Sequence, residues 1–249
     1  MLSFADIIAQ AKEEDVALVQ DKDIFYLVLN TEQNFLTYSL IDKVHRFLDQ
    51  IENTPGAGCL VTIGTKKFFS TGFELSHWMK DFNEAYVQTL IAQKLFARIL
   101  TFEIPTLSVF NGPAIAGGLL LGLAHDFRIM KEDKTYVCLS EINLGFSVPS
   151  GLSQLIKNQV PPKSSKNLIY GGRFNSQQSL KLDVVDQLFK DEAQMMTQIR
   201  EFAKEYAPKG QHRSSLRDLK QNIHKNTYRD LLNEGLTLGI VQTKSGPKL

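Results

Sequence analysis

Three short apolar runs constrain this chain most: IFYLVL at 24–29, GCLVTIG at 58–64 and TLSVF at 106–110. The first, β-branched and aromatic, reads as a buried strand, and the other two read as strands. Between the first two, residues 36–51 repeat Leu40, Ile41, Val44, Phe47, Leu48 and Ile51 at helical spacing, and Pro55-Gly56 stops the run. Between the second and third, 83–102 predicts a long amphipathic helix ended by Ile104-Pro105. Strands joined by helical crossovers pair in parallel, so the chain predicts an α/β fold. Further along, 111–116 predicts a turn, 117–124 a short buried helix, and 127–130 and 135–139 two more strands.

The character changes near Lys190. Residues 1–190 read as the core. Residues 191–249 read as a charged helical segment with one strong break, Pro208-Lys209-Gly210. Such a segment is either a solvated face or an oligomerisation or lid element. The 28 Lys+Arg nearly balance 27 Asp+Glu, a formal charge of +1. That balance argues against a nucleic-acid binder or an anionic-membrane binder. The most apolar stretch, 114–124, falls well short of the roughly 20 residues of a membrane span. The first residues meet acidic groups early and carry no cleavage-site pattern, so a secretory signal is not expected. Cys59 and Cys138 each lie in an apolar run and read as buried thiols in a reducing compartment. Pro247-Lys248-Leu249 resembles a variant of a peroxisomal address and reads equally as a basic tail.

Five scattered histidines and the absence of CxxC and HExxH spacing give no metal site. GxSxG, GxGxxG and phosphate-loop patterns are absent too, which removes support for a nicotinamide-dependent dehydrogenase. Two glycine-bearing segments follow strands: Phe69-Ser70-Thr71-Gly72-Phe73-Glu74-Leu75 and Asn111-Gly112-Pro113-Ala114-Ile115-Ala116-Gly117-Gly118-Leu119-Leu120. Each alone is most simply a structural turn. Together they offer two backbone N–H donors that could converge on one carbonyl oxygen. A third segment, Ser140-Glu141-Ile142-Asn143-Leu144-Gly145, sets a carboxylate between a strand and an apolar pair. Alone, Glu141 is most simply a loop carboxylate in water; a desolvated one would be a stronger base.

In this order and spacing the three segments, with Asp126-Phe127-Arg128, resemble the enoyl-CoA hydratase/isomerase, or crotonase, family from about Ile24 to Phe189. Within it they are most similar to the plant-type peroxisomal Δ3,Δ2-enoyl-CoA isomerases. The resemblance implies a spiral of ββα units, a C-terminal helical subdomain that packs trimers, and an acyl-CoA substrate with no separate cofactor. It implies an oxyanion hole from the N–H groups of Phe73 and Gly117. Substrate contacts fall by match at Asn34, Phe35 and Leu36, at Phe69, Ser70, Thr71 and Gly72, and at Gly118 and Leu120. Lys66 and Lys67 precede the loop and suit the CoA phosphates. Trp78, Phe73 and apolar residues of the 83–102 helix would line an acyl tunnel or form plain core. Asp126 and Arg128 would be a structural pair.

Hydratases of the family carry two catalytic glutamates. One matches Glu141; the other matches Leu120. The stretch GFSVPSG, where other members place the carboxylate, has none. One carboxylate suits a proton shuttle that moves a 3-enoyl-CoA double bond to the 2-trans position in fatty acid β-oxidation. Water addition wants two, so a weak hydratase is the second reading and a non-catalytic scaffold subunit the third. The family raises the weight of the peroxisomal reading of the tail over cytoplasm or mitochondrion, with an import receptor as partner.

Overall fold

The computed structural model describes residues 1–233. Six strands form the main sheet: β1 (Val16–Asp21), β2 (Ile24–Leu29), β3 (Cys59–Gly64), β4 (Thr106–Phe110), β6 (Phe127–Lys131) and β9 (Gln187–Phe189), side by side in that order. Within this sheet only β1 and β2 are antiparallel; every later neighbour is parallel. A small second sheet holds β5 (Ala114–Ile115), β7 (Tyr136–Cys138) and β8 (Arg173–Asn175). A parallel bridge from Ser70 to Ala114 extends it toward the first glycine loop.

Three successive units thus repeat one pattern. A strand of the large sheet leads to a short strand or bridge of the small one, and then to a helix. The helices are α4 (Phe82–Leu100) after Ser70, α5 (Gly117–Leu123) after β5, and α6 (Ser150–Gln159) after β7. This is the spiral of ββα units that the resemblance implies.

Alternation along the strands sends side chains to two cores. Phe25, Leu27, Leu29 and Leu60 meet α2 (Tyr38–Glu52) and α4 through Leu40, Ile41, Val44, Leu95, Phe96 and Ile99. Ile24, Tyr26, Val28, Cys59, Val61, Ile63, Leu107 and Val109 face the other way. They meet α1 (Phe4–Gln10) and α9 (Glu192–Tyr206) through Phe4, Ile7, Met195, Met196, Ile199 and Phe202. Thr37 caps α2 by accepting from Leu40 N–H, and Asp81 caps α4 by accepting from Asn83 and Glu84 N–H.

The charged segment after Lys190 therefore does more than present a polar face, because α9 covers one side of the sheet. Pro208-Lys209-Gly210 forms part of a 3-10 turn at Ala207–Gln211. Then α10 (Arg213–Ile223) and α11 (Lys225–Leu232) fold back, α11 packing on α4 and α6. Lys220 of α10 donates to Ile104 O at 3.1 Å and to Asp126 Oδ2 at 2.5 Å.

Some expectations are corrected. Cys59 is buried, but Cys138 is only half-buried. Asp126 and Arg128 do not pair with each other. Asp126 accepts from Thr106 and Lys220. Arg128 donates to the Val184 and His125 carbonyls through its side chain and to Asp186 through its N–H. β1, which the sequence does not announce, forms a hairpin with β2 on a turn whose Lys22 takes φ 58°. Glycine is the usual residue for that conformation, so the turn carries no recognisable signal. Among the described residues no helix is long and apolar enough to cross a membrane. Pro247-Lys248-Leu249 lie outside the described residues.

Candidate active site

A cavity of about 430 Å³ opens where the small sheet, α3 (Leu75–Trp78), α4 and α6 meet. Exposed Gln33, Leu75, Ser76 and Ser147 belong to its wall and mark the mouth. Buried Phe73, Trp78, Thr89, Leu120, Pro149 and Leu152 mark the depth. Thr71, Ala116, Ser140 and Glu141 also line it.

The two glycine loops are fastened to each other by backbone. Ile115 N–H donates to Ser70 O at 3.0 Å, alongside the Ser70–Ala114 bridge. Gly72 has φ +79°, and a Cβ there would lie 2.6 Å from Gly117 N. Only glycine permits both the conformation and the approach. Among the described residues Phe73 N–H, which follows this turn, donates to no partner. Gly117 N–H opens α5, where a helix has no internal acceptor to offer, and Ala116 supplies no side-chain cap. Phe73, on the cavity wall, and Gly117, just behind it, therefore each carry an amide that donates to no acceptor among the described residues. Ala116 itself holds φ 52°, ψ −123°, a conformation that costs an L-residue on the order of 1–3 kcal/mol. That strained dihedral sets the direction of the peptide carrying Gly117 N–H.

Glu141 opens the 3-10 turn Glu141–Leu144, which Gly145 ends in the left-handed conformation. Its Oε2 is sealed from solvent and has no hydrogen-bond partner among the described residues. Burial pushes its carboxyl pKa up, and the backbone amides of Glu141 and Ser140 pull it back in part. A second carboxylate, Glu74, also lines the cavity. It is tied nearer the surface, accepting from Ser76 Oγ at 2.8 Å, with His77 Nδ1 at 3.7 Å. The sequence reading did not single Glu74 out. Its place one residue beyond Phe73 in the glycine loop was the available signal.

Of the residues matched as binding positions, Phe35, Thr71 and Leu120 reach the wall together with Phe73 and Glu141. Asn34, Leu36, Phe69, Ser70, Gly72, Gly117 and Gly118 stand behind it. Asn34 Nδ2 donates to Phe68 O and Phe69 O, and Ser70 Oγ donates to Asn34 O. These residues hold the loop in shape. The long helix contributes Thr89, a polar residue, where apolar ones were expected. Lys66 and Lys67 are exposed and off the wall, with Lys67 Nζ 5.1 Å over the Phe68 ring.

Beneath the site, His125 is buried. Its Nδ1 meets Leu121 O at 2.9 Å and its Nε2 meets Thr62 Oγ1 at 2.7 Å. Burial pushes its pKa down to about 4, so at neutral pH the ring is uncharged. A carbonyl can only accept, so Nδ1 carries the proton and Nε2 accepts from Thr62. This histidine braces α5 against the sheet.

Residues 20–244 match the family model for enoyl-CoA hydratase/isomerase. The chain is 28% identical to enoyl-CoA delta isomerase 3 of Arabidopsis thaliana over 181 residues, 69% of this chain and 76% of that protein. It is 27% identical to the same plant's peroxisomal enoyl-CoA delta isomerase 2 over 175 residues, 66% and 72% of the two chains. Its fold matches the crystal structure of an enoyl-CoA hydratase from Mycobacterium ulcerans with a TM-score of 0.79 at 19% identity, over 91% of this chain and 96% of that one.

Proposed function

Because the chain belongs to the enoyl-CoA hydratase/isomerase family, we propose that it is an isomerase that moves the double bond of a 3-enoyl-CoA to the 2-trans position. Glu141 is its single proton shuttle. The ionised carboxyl takes a proton from C2 of the thioester. Charge then spreads through a dienolate onto the thioester oxygen, where Phe73 and Gly117 N–H groups receive it. The protonated carboxyl returns its proton to C4. Loss and gain on one face of the substrate need only one acid–base group. The observation that carries this reading is the sealed, unpartnered Glu141 oxygen in a cavity where position 120 is leucine. An alkyl group there holds no water for addition.

Glu141→Gln keeps the shape and removes the base. Isomerisation of 3-hexenoyl-CoA, followed by chromatography of the products, should fall by about 10²–10⁴-fold. Turnover at the wild-type rate would remove Glu141 from the mechanism.

Glu74 on the same wall favours a second reading, water addition by two carboxylates. A 3-hydroxyacyl-CoA as main product from 2-hexenoyl-CoA, abolished in Glu74→Gln, would establish it. The plant relative named peroxisomal supports the same compartment for this chain. Fluorescence microscopy of the chain tagged at its N-terminus tests that placement.

A further inference from the structure

Trp78 ends a one-turn helix flanked by exposed Leu75 and Met79, yet it is itself buried. Its ring stacks on Phe73 at 4.5 Å and 27° and meets Phe146 edge-on at 6.3 Å. All three rings line the cavity, and Trp78 belongs to the buried part of the wall with Thr89, Pro149 and Leu152.

One side chain fixes this indole. Gln88, buried on α4, accepts from Trp78 Nε1 at 2.7 Å through Oε1 and donates to Leu36 O at 2.7 Å through Nε2. An indole can only donate and a carbonyl can only accept, so the amide has one workable orientation. Leu36 N–H in turn donates to Gly72 O at 2.8 Å. A continuous chain of hydrogen bonds therefore runs from the deep wall to the glycine turn that presents Phe73 N–H. A buried amide with both ends engaged holds its place, because freeing either end strands a polar group away from water.

We propose that Trp78 is the stop that sets the acyl-chain length accepted, and that Gln88 is the positioning residue holding it there and aligning it with the glycine turn. This rests on the enoyl-CoA reading of the cavity. Trimming Trp78 removes neither Glu141 nor a backbone amide. Added length is then accommodated beyond residue 78.

The test measures kcat and KM for 3-enoyl-CoAs of six, eight, ten and twelve carbons, with isothermal calorimetry of the saturated acyl-CoAs of the same lengths. Wild type, Trp78→Ala, Trp78→Phe and Gln88→Met are compared, with circular dichroism as the check on folding. Trp78→Ala should raise the preference for twelve over six carbons by about ten-fold or more, mainly through KM. Trp78→Phe retains most of the ring and should hold the wild-type profile more nearly. Gln88→Met preserves length and removes both hydrogen bonds. It should move the profile the same way and also lower kcat at every length. General destabilisation would depress all lengths equally and leave the ratio fixed. Folded variants with an unchanged chain-length ratio, on a wild type that binds and isomerises acyl-CoA, would overturn the assignment of Trp78 and Gln88 alone. A wild type that neither binds nor converts any acyl-CoA would overturn the enoyl-CoA reading and this inference with it.

Discussion

As a base Glu141 must be ionised, yet its surroundings disfavour that charge. Activity limited by its ionisation should therefore rise with pH through a midpoint above the ordinary carboxylate range, visible in the acid limb of kcat/KM. An acid limb at the value of an exposed glutamate would contradict the burial argument. Stability carries the opposite sign. A raised value in the folded state means that the folded chain binds this proton more tightly than the unfolded chain. The resulting stabilisation is full below the unfolded value and is lost as pH rises through the folded one. Glu141→Gln should thus withstand more urea than wild type at neutral pH, and the difference should shrink on acidification below the ordinary carboxylate range. Equal urea midpoints at every pH would show that the carboxyl pays no desolvation cost.

At the scale of elements, the site depends on α5 lying almost against the first loop. A Cβ on Gly118 would fall 2.1 Å from Ser70 O, a backbone atom that already accepts from Ile115 N–H. Nothing flexible can give way there. Gly118→Ala should cost about 3 kcal/mol or more of stability by overpacking, read as a drop in urea midpoint. In any fraction that folds it should lower kcat, because both amides move. A variant as stable and active as wild type would mean that the loops are not fixed by this contact.

The same elements explain what the sequence discloses. β2, β3 and β4 are buried on both faces, so their apolar runs stand out unaided. α2 keeps five buried residues at helical spacing and announces itself equally well. Phe73, Leu120 and Glu141 were reachable only through motif order, since nothing local tells a glycine turn at a site from one elsewhere. β5, β8 and β9 are too short to show a period. Gln88 and Trp78 lie ten residues apart, and their bond depends on a tertiary approach that no spacing rule encodes.

For the whole molecule, the decisive feature is a sheet with two covered faces, one braced by α2 and α4, the other by α1 and α9. That frame carries the two glycine loops, which are tied to each other by the Ser70–Ala114 bridge and the Ile115 N–H to Ser70 O hydrogen bond. If Glu141, with one carboxyl oxygen sealed from solvent, is the lone shuttle of the proposed reaction, it should pass on the hydrogen it removes before solvent replaces it. The direct measurement uses 3-hexenoyl-CoA dideuterated at C2, turned over in ordinary water, with deuterium located in the product by NMR. Deuterium is expected at C4 of 2-trans-hexenoyl-CoA from the first turnovers. Complete loss of that label to water, with C4 filled from solvent alone, would contradict it.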